Sequence, residues 1–208
     1  MFHLASAHTT VASGRRCEDR VDIFELPDRT VIVVADGAGG TEAGDVAAEA
    51  VVQGVERALS VTNSANDWAA VLSTLDRQIL AGQSTAVVVD IRPYGIAGAS
   101  VGDSRAWIVS ENQITDLTKE QRRKPLLGSG SAVPVAFTYQ PLDGTLLAAT
   151  DGFFNYAKRA DISRLIAENA LADIPQACVD LVRLPSGDLW DDVGIVAVRS
   201  ETPSTEIC

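Results

Sequence analysis

The chain reads as an α+β protein. Short β-rich runs stand near its start and again in its middle, two amphipathic helical stretches separate them, and further helices and one more strand close it. Residues 21–26 and 30–35 are apolar segments broken by Pro27-Asp28, the pattern of a strand hairpin. Residues 41–59 and 66–80 carry apolar side chains at helical spacing, with Trp68, Val71, Leu72, Leu75 and Ile79 on one face of the second stretch. From residue 85 the period changes, and 85–91, 94–101 and 105–109 read as an antiparallel meander broken by Arg92-Pro93 and Gly102-Asp103. Residues 118–143 are irregular and expected to be mostly loop; 145–149 is a strand that meets Asp151-Gly152. Residues 161–170 and 175–184 look helical, Pro185-Ser186-Gly187 stops them, and 193–198 is a last strand.

With 208 residues the chain can bury a sizeable core, and we expect a single domain over residues 1–199 with a frayed tail over 200–208. A formal charge of −11 opposes a nucleic-acid or anionic-membrane surface. Three cysteines, Cys17, Cys178 and Cys208, show no metal-ligand spacing and argue against a disulfide scaffold. The opening residues MFHLASAHTT lack a basic leader, and no apolar run approaches the roughly 20 residues of a membrane span. These features predict a cytoplasmic protein with reduced thiols.

Acids stand at four strand ends: Asp36 after VIVVA, Asp103 after GIAGASVG, Asp151 after TLLAAT, and Asp191-Asp192 before VGIVAV. One Asp-Gly pair marks only a turn. Four such acids can converge, because the strands of a sheet share common edges, and converging carboxylates repel unless a cation joins them. Oxygen-only ligands suit Mg²⁺ or Mn²⁺, and two such ions can activate a shared water against a phosphoryl group. In that reading Asp36 bridges the ions, and Gly37, lacking a side chain, lets its carbonyl approach one closely.

At these residues the sequence resembles the PPM family, the metal-dependent serine/threonine protein phosphatases also called type 2C. The matching elements run in order along nearly the whole chain: Glu18-Asp19 in RRCEDR, VVADGAGG, GQSTAV, Gly102-Asp103-Ser104-Arg105, Leu117-Thr118, ATDGFF and Asp191-Asp192 with its closing strand. The resemblance implies two antiparallel sheets packed as a sandwich and flanked by helices, with the metal centre in a cleft at one edge. It implies that Asp36, Asp151 and Asp191, with the Gly37 carbonyl, bind two core Mn²⁺ or Mg²⁺ ions. Glu18 and Asp19 would orient metal-bound waters, and Asp103 would help Asp151 hold a weaker third ion. Arg15 or Arg16 stands near the position of the family's phosphate-contacting arginine, slightly closer to the acidic pair than is usual. The resemblance favours Asp191 over Asp192 as ligand, and strand alternation sends the two to opposite faces.

Ala38 stands where animal members carry a histidine, as in many bacterial members, and the span from Leu117-Thr118 to Asp151 leaves little room for the family's flap. The expected activity is hydrolysis of phosphoserine or phosphothreonine on a protein partner in bacterial signalling, by a monomer that binds neither nucleic acid nor membrane. Two other readings stand beside it: a catalytically silent module that holds a phosphoprotein, and a dinucleotide-binding turn at Gly37, Gly39 and Gly40. The turn has the wrong glycine spacing and would set Asp36 against phosphates. His3, His8, Cys17, Cys178, Trp68 and Trp107 read as structural or solvated; Trp190 fits either the site or the core. Arg122, Arg123 and Lys124 form a short basic run that suits a solvated loop or a steering patch.

Overall fold

The computed structural model describes residues 4–38, 43–110 and 113–200. Gly39, Gly40, Thr41, His3 and Cys208 lie outside them. Strands β1 (Leu4–Val11), β2 (Asp19–Leu26) and β3 (Arg29–Asp36) precede helices α1 (Gly44–Ala58) and α2 (Ala65–Gln78). Then come β4 (Ala86–Arg92), β5 (Gly95–Val101), β6 (Arg105–Ser110), β7 (Gln113–Asp116), β8 (Val135–Tyr139) and β9 (Thr145–Ala149). Helices α3 (Asp151–Phe154), α4 (Arg159–Glu168) and α5 (Ile174–Val182) lead to β10 (Val193–Ser200).

The strands form two antiparallel sheets, β1-β10-β9-β6-β7 and β2-β3-β4-β5-β8. Their facing sides bury Ile32, Val34, Val87 and Val89 against Ala106, Ile108, Leu146 and Val196. The outer face of the second sheet, with Val31, Val33 and Val88, packs on α1 and α2. The outer face of the first, with Leu147, Ile195 and Trp107, packs on Phe153 of α3, Ile162 of α4 and Val179 of α5. The expected helix-flanked sandwich is therefore present. Because both faces of β3 are covered, it needs no polar alternation, and VIVVA reads as an unbroken apolar run.

Two expectations are corrected and one is refined. Residues 85–109 do not form one meander: β4 pairs with β5, but β6 crosses to the other sheet and pairs with β7 and β9. Period-2 patterning is identical for strands of either sheet, so it could not show this crossing at Gly102-Asp103. Residues 118–143 are mostly loop, as expected, and within them 135–139 add β8 to the edge of β5. An edge strand buried on one side only, as VAFTY is, gives a weak signal. Ser200 ends β10 opposite Leu4 rather than opening the tail, whose remaining residues lie outside the described ones. Among the described residues no helix is long and apolar enough to cross a membrane.

Candidate metal centre

The hairpin of β2 and β3 sets Asp19 directly opposite Asp36 in register. Like charges facing one another across a ladder are destabilising. The backbone of Asp36 is fixed from the next strand: its N–H donates to Thr85 Oγ1 at 3.0 Å, and its carbonyl accepts from the Thr85 N–H at 2.8 Å and from Ser84 Oγ at 3.0 Å. Thr85 Oγ1 in turn lies 2.6 Å from Ser104 Oγ, which ties β3 to the turn carrying Asp103. From the other sheet, β9 delivers Asp151 as the first residue of α3. Carboxylate oxygens of Asp36, Asp103 and Asp151 lie within 4.8 Å of one another. They share a cleft of about 300 Å³ with Glu18, Asp19 and Asp191.

Two glycines permit this closeness. A Cβ on Gly37 would lie 2.3 Å from the carbonyl carbon of Gly44, where α1 begins. One on Gly152 would lie 2.0 Å from the Asp192 carbonyl oxygen, so only glycine lets the loop before β10 seat against α3. The adjacent acids of that loop have separate work. Asp192 is buried, and its Oδ1 accepts from Ser13 N–H at 2.7 Å and from Ser13 Oγ at 2.9 Å, while Oδ2 accepts from the Glu18 N–H at 2.7 Å. Asp191 is exposed beside the cleft and takes one hydrogen bond, from the Asp192 N–H at 2.9 Å.

Burial, and then the neighbouring acids, push the carboxyl groups away from ionisation. Asp36 is raised to about 9, by burial first and then by Asp19 and Asp151. Asp19 is raised to about 7 by burial, against a lowering hydrogen bond from Thr150 Oγ1 at 2.7 Å. Asp151 rises through burial and Asp103, and Glu18 through burial, Asp192 and Asp45. Among the described residues no ion pair reaches Asp19, Asp36 or Asp151; Arg123 Nε meets Asp103 Oδ2 at 2.6 Å. An all-oxygen donor set held together against its own repulsion fits a hard divalent cation.

The family model for protein phosphatase 2C matches residues 8–126, more than half of the chain and most of the strands that build this cleft. The chain belongs to the protein phosphatase 2C family. It is 30% identical over 121 residues to the serine/threonine phosphatase stp of Listeria welshimeri, a match covering 50% of this chain and 48% of that protein. The match thus spans about half the length of that curated relative. A crystal structure of a bacterial serine phosphatase carrying an arginine-to-alanine substitution superposes with a TM-score of 0.85 at 22% identity, covering 97% of this chain and all of the other. The catalytic domain of the serine/threonine protein phosphatase PstP, in complex with two manganese ions, superposes with a TM-score of 0.76 at 17% identity, covering 96% and 99%.

Within this family fold, Glu18, Asp19, Asp36, Gly37, Asp103, Asp151 and Asp191 all line the cleft. Arg15 and Arg16 do not. Arg15 is exposed, and Arg16 Nε donates to Asp45 Oδ2 at 2.9 Å, close enough to Glu18 for its charge to oppose the rise that burial and the neighbouring acids cause there. The cations that do line the cleft are Arg123 and Lys124. Their run is anchored by the Gly102 N–H donating to the Arg122 carbonyl at 3.2 Å, so part of the basic loop is held against the site.

Thr150 escaped the sequence reading. It is buried, donates to Asp19 and accepts from the Gly194 N–H at 2.9 Å, joining the acids of both sheets. Its place directly before Asp151 in ATDGFF was the available signal. Cys17 is half-buried and its thiol is pushed up to about 12, which keeps it protonated and unreactive at neutral pH. Cys178 is core, and Trp190 is 64% exposed and stacked on Tyr156 with ring centroids 6.2 Å apart.

Proposed function

We propose that this chain hydrolyses phosphoserine or phosphothreonine on a protein substrate, with divalent metal ions held by Asp36, Asp151 and Asp191. The observation that carries the reading is the convergence of Asp36, Asp103 and Asp151 from strand ends in both sheets. Family membership supports it, and so does the PstP neighbour, described with two manganese ions. Bound there, Mn²⁺ or Mg²⁺ would supply an activated water and offset charge on the phosphoryl group.

The chain's own residues do the rest. Asp36, close enough to Asp19 and Asp151 to be raised by both, would hold the ions together with Asp151, and Gly37 lines the same cleft. Glu18 and Asp19 are placed to hold and orient water, Asp19 through an oxygen already fixed by Thr150. Asp103, with Asp151, is placed for a third ion, and Arg123 holds Asp103 in the meantime. Arg123 and Lys124, rather than Arg15 or Arg16, are placed to meet phosphate oxygens. The substrate is a phosphorylated protein of a bacterial signalling system, and the unit that acts is a single phosphatase domain working as a monomer in the cytoplasm.

The test is hydrolysis of para-nitrophenyl phosphate and of a phosphothreonine peptide by purified protein with Mn²⁺, Mg²⁺ or chelator. Turnover that needs metal and is lost in Asp151→Asn is the expected result. Metal-loaded protein that cleaves neither substrate overturns the reading and leaves the phosphoprotein-binding module.

A further inference from the structure

A second cavity, of about 230 Å³, opens beside the metal cleft. The two meet at Asp103 and Arg123, which line both. Arg105 and Lys119 line only the second, and no step of the phosphoryl chemistry uses them. Its other polar walls come from Asn155, whose Nδ2 holds Asp151 Oδ2 at 2.9 Å, and from Gln121, whose Nε2 donates to the Ser104 carbonyl at 2.7 Å.

The charge here runs against that of the whole molecule. Of the chain's 17 Lys and Arg residues, five (Arg105, Lys119, Arg122, Arg123 and Lys124) fall between residues 105 and 124, although the net charge is −11. Both acids of the second cavity are already engaged. Asp116 Oδ1 accepts from the Thr118 N–H at 2.9 Å and from Thr118 Oγ1 at 2.8 Å, and Asp103 is paired with Arg123. The cations are less committed. Lys119 is exposed and meets only Glu120, at 3.9 Å in solvent, a contact worth little. Arg105 is held in place with its guanidinium carbon 5.8 Å from the Phe154 ring centroid, a contact that leaves its N–H donors available.

The geometry points to an anion subsite in this cavity, formed by Arg105, Lys119 and Arg123, which receives a carboxylate or a second phosphate on a residue flanking the phosphoresidue. The inference rests on the phosphatase reading and narrows it to substrates with an acidic or doubly phosphorylated neighbourhood. Arg123 belongs to both cavities, so an anion in the second draws its guanidinium away from Asp103. Occupying the subsite and freeing Asp103 for a cation are then one movement of one side chain.

The experiment uses phosphothreonine peptides identical except for one residue beside the phosphorylated one, set to alanine, glutamate, lysine or a non-hydrolysable phosphonate analogue of phosphoserine. With Mn²⁺ present, kcat/KM for the glutamate peptide should exceed that of the alanine peptide by about three- to tenfold, mainly through KM, and high salt should compress the ratio. A larger gain for the phosphonate peptide marks a phosphate as the natural group; equal gains mark a carboxylate. In Lys119→Glu, an exposed change that the fold should accept, the ratio should fall to about one and the lysine peptide should become preferred. Equal kcat/KM for all flanking residues, or a glutamate preference that survives in Lys119→Glu, overturns the subsite. Anisotropy of labelled peptides carrying a non-hydrolysable phosphonate in place of the phosphothreonine, on Mn²⁺-loaded wild type, gives the same ordering without turnover. If the wild type fails on para-nitrophenyl phosphate, the phosphatase reading alone has failed, and the anisotropy ratios still decide the subsite.

Discussion

Two groups of buried acids in this molecule differ in what surrounds them. At the far end of the second sheet Asp90, fully buried, accepts from Arg29 Nη1 at 2.9 Å, from Arg92 Nη2 at 3.0 Å and Nε at 3.1 Å, and from Trp68 Nε1 at 3.2 Å. The same arginines reach carbonyls of the α1–α2 connection, Arg29 at Leu59 and Thr62 and Arg92 at Thr62. Charge and hydrogen-bonding capacity are matched within the fold. In the cleft, Asp19, Asp36 and Asp151 lie close together with no ion pair to any of them among the described residues, and burial forces Asp19 and Asp36 toward their protonated forms. A complete network is structural. An incomplete one is what a site for a cation from solution would look like.

Breaking the complete network should have the largest effect. Asp90→Ala would leave two buried guanidinium groups facing each other, at a cost of about 3–5 kcal/mol, and thermal denaturation should show a drop of about 10 °C or more. A Tm within a degree or two of wild type would mean that the arginines find other partners. The incomplete network should answer in the opposite way. Asp151→Asn removes a repelling charge, so metal-free stability should hold or rise, while turnover of para-nitrophenyl phosphate with Mn²⁺ should fall by about 100-fold or more.

Metal itself sharpens the contrast. Mn²⁺ at about 100 times its Kd should stabilise the wild type by about 2.7 kcal/mol, read as an upward shift in calorimetric Tm. Asp36→Asn should lose most of that shift, and Asp90 variants that still fold should keep it. The remaining contrast is in pH. The Asp36 carboxyl titrates at its ordinary 3.8 when unfolded and near 9 when folded, so between those values the folded chain holds more protons. Metal-free stability should therefore decline as pH rises from about 5 to about 8, and Mn²⁺ should flatten or reverse the slope. A metal-free Tm that climbs over that range would contradict the crowding of acids in the cleft.

The clustered acids of the cleft were legible because each stands at a strand end and strand ends are easy to read: VIVVA stops at Asp36, TLLAAT at Asp151, and VGIVAV starts after Asp192. The helices were legible for a similar reason, since Trp68, Leu72 and Leu75 keep the period of one buried face. Residues whose role depends on who faces them were not. Asp90 looks like one more acid in a strand until Arg29 and Arg92 are seen beside it. Thr150 looks like a cap until Asp19 arrives from the other sheet.

By itself the sequence determined the α+β class, the order of most elements, the oxygen-only character of the site and the family, because these depend on periodicity and on residue type near a break in the chain. The tertiary structure alone decided that β6 crosses to the other sheet, that Asp192 holds Ser13 and Glu18 while Asp191 stays exposed at the cleft, and that Arg123 and Lys124 rather than Arg15 and Arg16 line the cleft. Each of these is a pairing across 20 to 179 residues of chain, from Arg123 with Asp103 to the hydrogen bond from Ser13 to Asp192. Local pattern carries no information about such a pairing, because the partners meet only after both sheets have closed around the core.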